Sequence, residues 1–273
     1  MNLPEDFVFS PSSLQDYVDC PRRFQLKYLQ RQRWPAAEVD EMLEFEKRME
    51  QGQRFHQLVH QHLLGIPADT LTKHISDESV RQWFETYLKN GLTDMPKTRF
   101  PERTLTIPLG KYALLAKFDV VAIGDKAIII DWKTSRKIPR REWLAKKLQT
   151  IVYRYVLAKG GSHLNKGQTI EPEQIEMRYW YAEHDGATLS FTYDKEQFAT
   201  HEANLLHLVD EIDSRPDFPL TEDMPRCRFC TYRSLCDRGT QAGSLVDWDT
   251  MDTDDVDLAD FEIDIDQIAE IEF

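Results

Sequence analysis

From Tyr112 to Ile123 and again from Lys126 to Lys133 the chain is nearly saturated with apolar residues (YALLAKFDVVAI, then KAIIIDWK). Short runs of this kind, rich in β-branched side chains, predict strands. Gly124-Asp125 between them predicts a two-residue hairpin turn with positive φ. Side chains alternate faces along a strand, so Asp131 and Lys133 point one way and Trp132 the other. Folding about the turn brings Asp119 near Ile130 and Asp131. Apolar residues at helical spacing predict a helix from about Pro11 to Gln30, a helical region over 38–64 with Leu58, Val59, Leu63 and Leu64 as its stripe, and another over 76–89. A further helix is expected from about Arg141 to Ala158, burying Leu144, Leu148, Val152 and Tyr155. Strands are expected over the TLTIPL run at 104–109 and near Ile175–Ala182 and Thr188–Tyr193. A helix follows from Asp194 to about Asp213. The order predicts an α/β fold, a mixed sheet flanked by helices.

A chain of 273 residues with 41% hydrophobic content is large enough for a substantial core in one α/β domain with appendages. No apolar run reaches transmembrane length, which argues against a membrane partner. There is no Gly-Lys-Ser/Thr phosphate loop, so the chain does not read as a P-loop ATPase, and no internal repeat is visible. The first ten residues, MNLPEDFVFS, lack the basic and apolar regions of a signal peptide, so a cytoplasmic location is expected.

The net charge of −13 changes meaning once it is located. Twelve of the 47 acids lie between Val246 and Phe273, a segment with no Lys or Arg, leaving 35 acids against 34 bases elsewhere. Residues 1–245 therefore read as a nearly neutral folded domain and 246–273 as an acidic, disordered tail. The tail alternates acids with Leu, Phe and Ile. It could serve solubility alone, mimic nucleic acid, or fold against a protein partner. Bases cluster at Arg22, Arg23, Lys27, Arg31 and Arg33, at Lys146-Lys147, and at Arg136, Lys137, Arg140 and Arg141. The last group directly follows Lys133, where it could meet a nucleic-acid backbone. A solvated surface is the ordinary meaning of such runs.

Two carboxylates and an ammonium at one end of an apolar hairpin have a chemical reading. Carboxylates are hard ligands for Mg2+ or Mn2+. A lysine beside such a metal can orient a water or neutralise charge developing on phosphorus. Solvated surface charges are the alternative, but IIID is apolar up to the charges. Four cysteines complete the chemistry: Cys20, then Cys227, Cys230 and Cys236 spaced C-x2-C-x5-C. Four thiolates suit an iron–sulfur cluster or a tetrahedral zinc, and spacing alone does not separate them. In a reducing compartment metal binding is favoured over disulfides.

These residues together resemble the PD-(D/E)XK superfamily, specifically the RecB-like branch with an iron–sulfur cluster, over roughly residues 10 to 240. The CRISPR-associated RecB-like exonucleases and the AddB nuclease domain share the layout of one cysteine before the core and three after it. The resemblance implies a metal-dependent deoxyribonuclease in repair, recombination or CRISPR adaptation, acting as an exonuclease on single-stranded ends of DNA. It implies a [4Fe-4S] cluster joining the two ends of the domain. It assigns Asp119 and Asp131 to the catalytic Mg2+ or Mn2+, with His56 of the Gly52-x-x-Phe55-His56 element as a further ligand and the Trp132 carbonyl as another. His60, one turn on, is the competing imidazole. Lys133 would align water, and Gln149 and Tyr153, a Q-x-x-x-Y element, would support lysine and substrate. Glu102 could support the site or merely form an exposed salt bridge. One position departs from the family pattern: a glycine is usual two residues before the first acid, and here Lys117 stands there. A partner-dependent or non-catalytic subunit of a helicase–nuclease complex is the alternative reading.

Overall fold

The computed structural model describes residues 3–32, 42–228 and 230–239. The acidic segment 246–273, Arg33 and residues 38–41 of the expected helical region lie outside the described residues. Six strands form one mixed sheet. They are β1 (Val8–Phe9), β2 (Thr98–Leu109), β3 (Tyr112–Ile123), β4 (Ala127–Lys133), β5 (Ile175–Tyr181) and β6 (Ala187–Thr192). The order runs β1-β3-β4-β5-β6, with β2 pairing the other side of β3. β1 on β3 and β4 on β5 are parallel; β2–β3, β3–β4 and β5–β6 are antiparallel.

Helices cover both faces. On one side lie α1 (Pro11–Asp19), α2 (Pro21–Phe24), α6 (Arg141–Lys146), α7 (Leu148–Gly160) and α8 (Lys195–Ser214). They bury Leu14, Phe24, Val152 and Leu205 against alternate strand residues such as Leu114, Phe118 and Ile129. On the other side α3 (Met42–Leu63), α4 (Ala68–Thr72) and α5 (Glu78–Thr86) bury Phe55, Leu58, Leu71 and Phe84 against Val120, Ile128, Ile130 and Trp132. β4 is thus buried on both faces, which is why AIII reads as a continuous apolar run. A short helix, α9 (Met224–Cys227), leads into the last cysteines.

Several expected boundaries shift for visible reasons. The helix expected over Pro11–Gln30 is broken at Cys20, whose backbone is extended (φ −161°, ψ 104°), because Pro21 disfavours helix in the residue before it. Beyond α2 the chain continues as a π-helical turn, Gln25–Leu29. The helix expected from Arg141 to Ala158 is two helices divided at an extended Lys147. Lys147 is buried, its ammonium 3.9 Å from the Trp143 ring centre, so it is no part of a solvated basic face. The hairpin turn is three residues, Gly124–Lys126, because Ile123 pairs with Ala127. Neither Gly124 nor Asp125 has positive φ.

Positive φ appears instead at Glu102 (φ +47°), in the middle of β2. The register on either side places Glu102 opposite Asp119, but that row is missing from the ladder. Leu105, Ile107, Phe118 and Ala116 face the α7 side, and so do Phe100 and Val121. Strict alternation would send the last two to the opposite face. The left-handed residue therefore slips the alternation of the strand pair at one row, the row of the first catalytic-candidate acid.

Candidate active site

The site is assembled where β3 and β4 stop pairing. Val120 pairs with Ile130, the last rung, and extending the register sets Asp119 opposite Asp131. The ladder ends because a side chain takes the place of backbone: Asp119 Oδ2 accepts the Trp132 N–H at 2.8 Å. Its other oxygen stands 3.4 Å from His56 Nδ1 on α3. Burial pushes the Asp119 carboxyl up, but His56, the Trp132 N–H and Lys133 outweigh it and hold it below the usual carboxylate range.

Asp131 and Lys133 share a face toward α7, as the period of two requires, and Trp132 enters the opposite core. Lys133 Nζ lies 2.9 Å from Asp131 Oδ2. It also donates to Gln149 Oε1 at 3.3 Å, while Gln149 Nε2 donates to Asp131 Oδ1 at 2.8 Å. One amide thus bridges acid and base, as only a side chain with both a donor and an acceptor can. Tyr153, one turn along α7, faces Gln149 Nε2 at 3.4 Å. Burial, reinforced by Asp131 and Asp119, pushes its phenol well above its ordinary value, so it stays protonated.

Tyr179 was not among the residues expected from the sequence. It is the parallel neighbour of Asp131 on β5. Its hydroxyl donates to Gln149 Oε1 at 3.3 Å and meets Thr150 Oγ1 at 2.7 Å, and its ring lies under Lys133 Nζ at 5.5 Å. Its only sequence signal is membership of the alternating set Ile175, Met177, Tyr179, Tyr181; the β4–β5 register that brings it to the site is not written locally.

On α3, Phe55 is buried and stacks on Trp180 (6.1 Å, 11°), which aims the next residue, His56, at Asp119. A Cβ at Gly52 would lie 3.2 Å from Thr134 Oγ1, so the glycine lets the helix lie close to the chain leaving β4. His62 is turned away, 2.9 Å from the Tyr87 hydroxyl. Glu102 forms a salt bridge with Lys117 at 3.3 Å.

The basic residues after Lys133 divide. Arg136 and Arg140 are exposed and Lys137 half-buried on the loop between β4 and α6. Arg141 is committed elsewhere: it donates to the Ser190 carbonyl and stacks on Phe191 at 4.6 Å. Arg23 and Lys27 pair with Asp16 rather than forming a basic surface (2.7 and 3.0 Å).

The cysteines are all free thiols, with Cys20 buried between α1 and α2. The fold brings Cys20 within electrostatic reach of Cys227, Cys230 and Cys236. Burial pushes Cys230 up to about 11, and the nearby Cys20 and Cys227 add to it. Burial likewise raises Cys227 and Cys236, again with Cys20 contributing. Among the described residues no three His, Cys, Asp or Glu side chains close on one metal-sized point. At the β3–β4 site the carboxylates are turned instead to His56, Trp132, Lys133 and Gln149.

Comparison with known proteins adds the family. A crystal structure of a candidate exonuclease from Eubacterium rectale superposes with a TM-score of 0.50 at 11% identity, covering 90% of this chain and 94% of that one. This likeness concerns the fold. The crystal structure of SSO0001 gives a TM-score of 0.42 at 14% identity over 86% of this chain and 87% of that one, too low to bear on the argument. No curated protein matches the chain. No helix among the described residues is long and apolar enough to cross a membrane. The family model described as the PD-(D/E)XK nuclease superfamily matches residues 8–237, the span that holds every residue of this site and all four cysteines. With a mixed sheet flanked by helices and an Asp-x-Lys strand beside a second aspartate, the chain belongs to the PD-(D/E)XK nuclease superfamily.

Proposed function

We propose that this nuclease is a metal-dependent deoxyribonuclease of the RecB-like branch, an exonuclease acting on single-stranded DNA ends. The observation that carries the reading is the closed network of Asp131, Lys133 and Gln149 beside Asp119 and His56. Two carboxylates with an imidazole form a donor set suited to Mg2+ or Mn2+, and each bonded oxygen keeps a second lone pair for an ion. Asp119, Asp131, His56 and the Trp132 carbonyl would hold it. When bound, such an ion supplies Lewis-acid stabilisation of the phosphate oxygens and lowers the pKa of its water.

The chain's own residues do the remainder. Lys133, held between Asp131 and Gln149, orients the attacking water and meets negative charge growing on the phosphate. Gln149 keeps acid and lysine in register, and Tyr153, protonated, backs Gln149 by accepting from its Nε2. Arg136, Lys137 and Arg140 steer the phosphate backbone toward the site.

The four thiols are soft donors free of disulfides, with Cys20 of one end in electrostatic reach of the three at the other, a donor set whose chemistry suits a [4Fe-4S] cluster tying the two ends of the nuclease domain, 1–245. The acidic segment 246–273 is then an appendage open to a protein partner.

End-labelled single- and double-stranded DNA tests the reading with Mg2+ or Mn2+, comparing wild type with Lys133→Ala. Metal-dependent cleavage that disappears in a folded Lys133→Ala protein is expected. A fully active variant, or an inert wild type, would overturn it.

A further inference from the structure

Helix α7 carries Gln149 and Tyr153, yet it begins without a cap of its own. Lys147 before it makes no side-chain bond to the first turn, where Ser, Thr, Asp or Asn would ordinarily serve. The Leu148 N–H is taken instead by Gln15 Oε1 of α1, 3.2 Å away and 133 residues earlier in the chain. Gln15 uses its other end as well: Nε2 donates to Asp19 Oδ1 at 2.9 Å. Asp19 is itself buried and bound by two guanidinium groups, Arg23 at 3.0 Å and Arg226 at 2.6 Å. Asp19 immediately precedes Cys20, and Arg226 immediately precedes Cys227.

An unbroken path therefore runs from the cysteine segment to the site: Arg226, Asp19, Gln15, the Leu148 N–H and Gln149. A buried carboxylate with two cations cannot turn away without stranding a charge, so Asp19 is a fixed point. Gln15, bonded at both ends of its amide, has its orientation set by it. The residue type is constrained. A carboxylate at position 15 would repel Asp19, and a lysine could not accept from Leu148.

We propose that Gln15 is a positioning residue: it caps α7 from α1 and couples the placement of Gln149 against Asp131 and Lys133 to the packing of the cysteine segment. The catalytic half of this inference rests on the nuclease reading above. Its structural half does not.

The test uses the full chain as wild type, Gln15→Met, Arg226→Met and the double variant. Hydrogen exchange over residues 148–153 is read by mass spectrometry. Turnover is read on end-labelled DNA. Each single variant should speed exchange in that stretch by about fivefold, the effect of a lost helix cap, and the double should be no faster than the faster single. Arg226→Lys, which keeps a cation on Asp19, should restore most of the protection. Gln15→Met should lower kcat by about tenfold with KM unchanged, the signature of misplacement rather than weakened binding. Unchanged exchange in Arg226→Met, or effects that multiply in the double variant, would overturn the coupling. Should Gln15→Met fail to fold, Gln15→Asn, which keeps the amide one methylene short, enters the same cycle. A wild type that cuts no DNA would sink the nuclease reading, while the exchange cycle would still decide the role of Gln15.

Discussion

A Cβ on Gly52 would stand 3.2 Å from Thr134 Oγ1, and Thr134 directly follows Lys133. Gly52→Ala should improve the helix intrinsically by roughly 1 kcal/mol while pushing the chain beside the lysine. The expected result is an unchanged or slightly raised melting temperature with cleavage slowed on the order of tenfold. Gly52→Ala combined with Thr134→Ala, which removes the crowding oxygen, should regain the rate. Equal rates for wild type and Gly52→Ala would show that the contact has no catalytic consequence. At this scale the sequence was informative where chemistry is carried by residue type. Asp119, Asp131, Lys133, Gln149, Tyr153 and His56, grouped in the sequence by family resemblance, stand together in the structure. Tyr179 and the left-handed Glu102 were not legible, since one depends on strand register and the other on a backbone torsion.

Elements were legible in kind and less so in their ends. The one-residue difference in the hairpin turn moves Asp119 from opposite Ile130 to opposite Asp131, a consequence of register that turn residues alone do not state. The break at Lys147 was hidden because Leu144, Leu148, Val152 and Tyr155 keep a helical rhythm across it. Thr150 closes the gap, its hydroxyl donating to the Leu144 carbonyl at 2.6 Å. At the edge strand β6, Arg141 and Arg154 cover the Ser190 and Thr192 carbonyls. Arg141→Ala should therefore lower stability and leave the salt dependence of DNA binding nearly unchanged. Arg136→Ala should do the reverse, cutting the salt slope by about one. Parallel denaturation and salt titrations separate the two, and an equal loss of slope in both would return Arg141 to the DNA surface. Helix α8 carries a pH signature. Burial, with Arg154 nearby, holds His201 down to about 4, below the ordinary histidine value of about 6.5. The unfolded chain is thus protonated first as pH falls, so stability present above about pH 6.5 is lost between there and about pH 4. Urea midpoints across that window should fall for wild type and fall less steeply for His201→Phe, which keeps the stacking on Tyr193 (5.4 Å, 20°).

At the scale of the molecule, the sequence implied one α/β domain closed by cysteines from both ends, and the sheet and its flanking helices agree. What it could not reveal is the ionic seam that joins those ends without any cofactor: Asp16 and Asp19 with Arg23, Lys27 and Arg226. Those pairings depend on long-range packing that no local pattern encodes. Under the proposed cluster, loss of one thiol should act on this closure rather than on the chemistry. Cys230→Ala is expected to melt several degrees below wild type, and prolonged chelation should lower wild type toward the variant without lowering the variant further. Lys133→Ala, which strands the buried Asp131 carboxylate, should also melt lower, but with no loss of metal from the cysteines. A Cys230→Ala protein with wild-type melting and undiminished metal content would contradict this. The seam also has a consequence in time. Asp19 leaves the ribosome 207 residues ahead of Arg226, roughly 10 to 40 s at ordinary elongation rates. For that interval the end of α1 presents a carboxylate with one of its two guanidinium partners missing, and Cys20 just beyond it stands without the other three thiols. Slowed synthesis is therefore expected to lengthen the exposure of Asp19 and Cys20 and to lower the yield of folded protein.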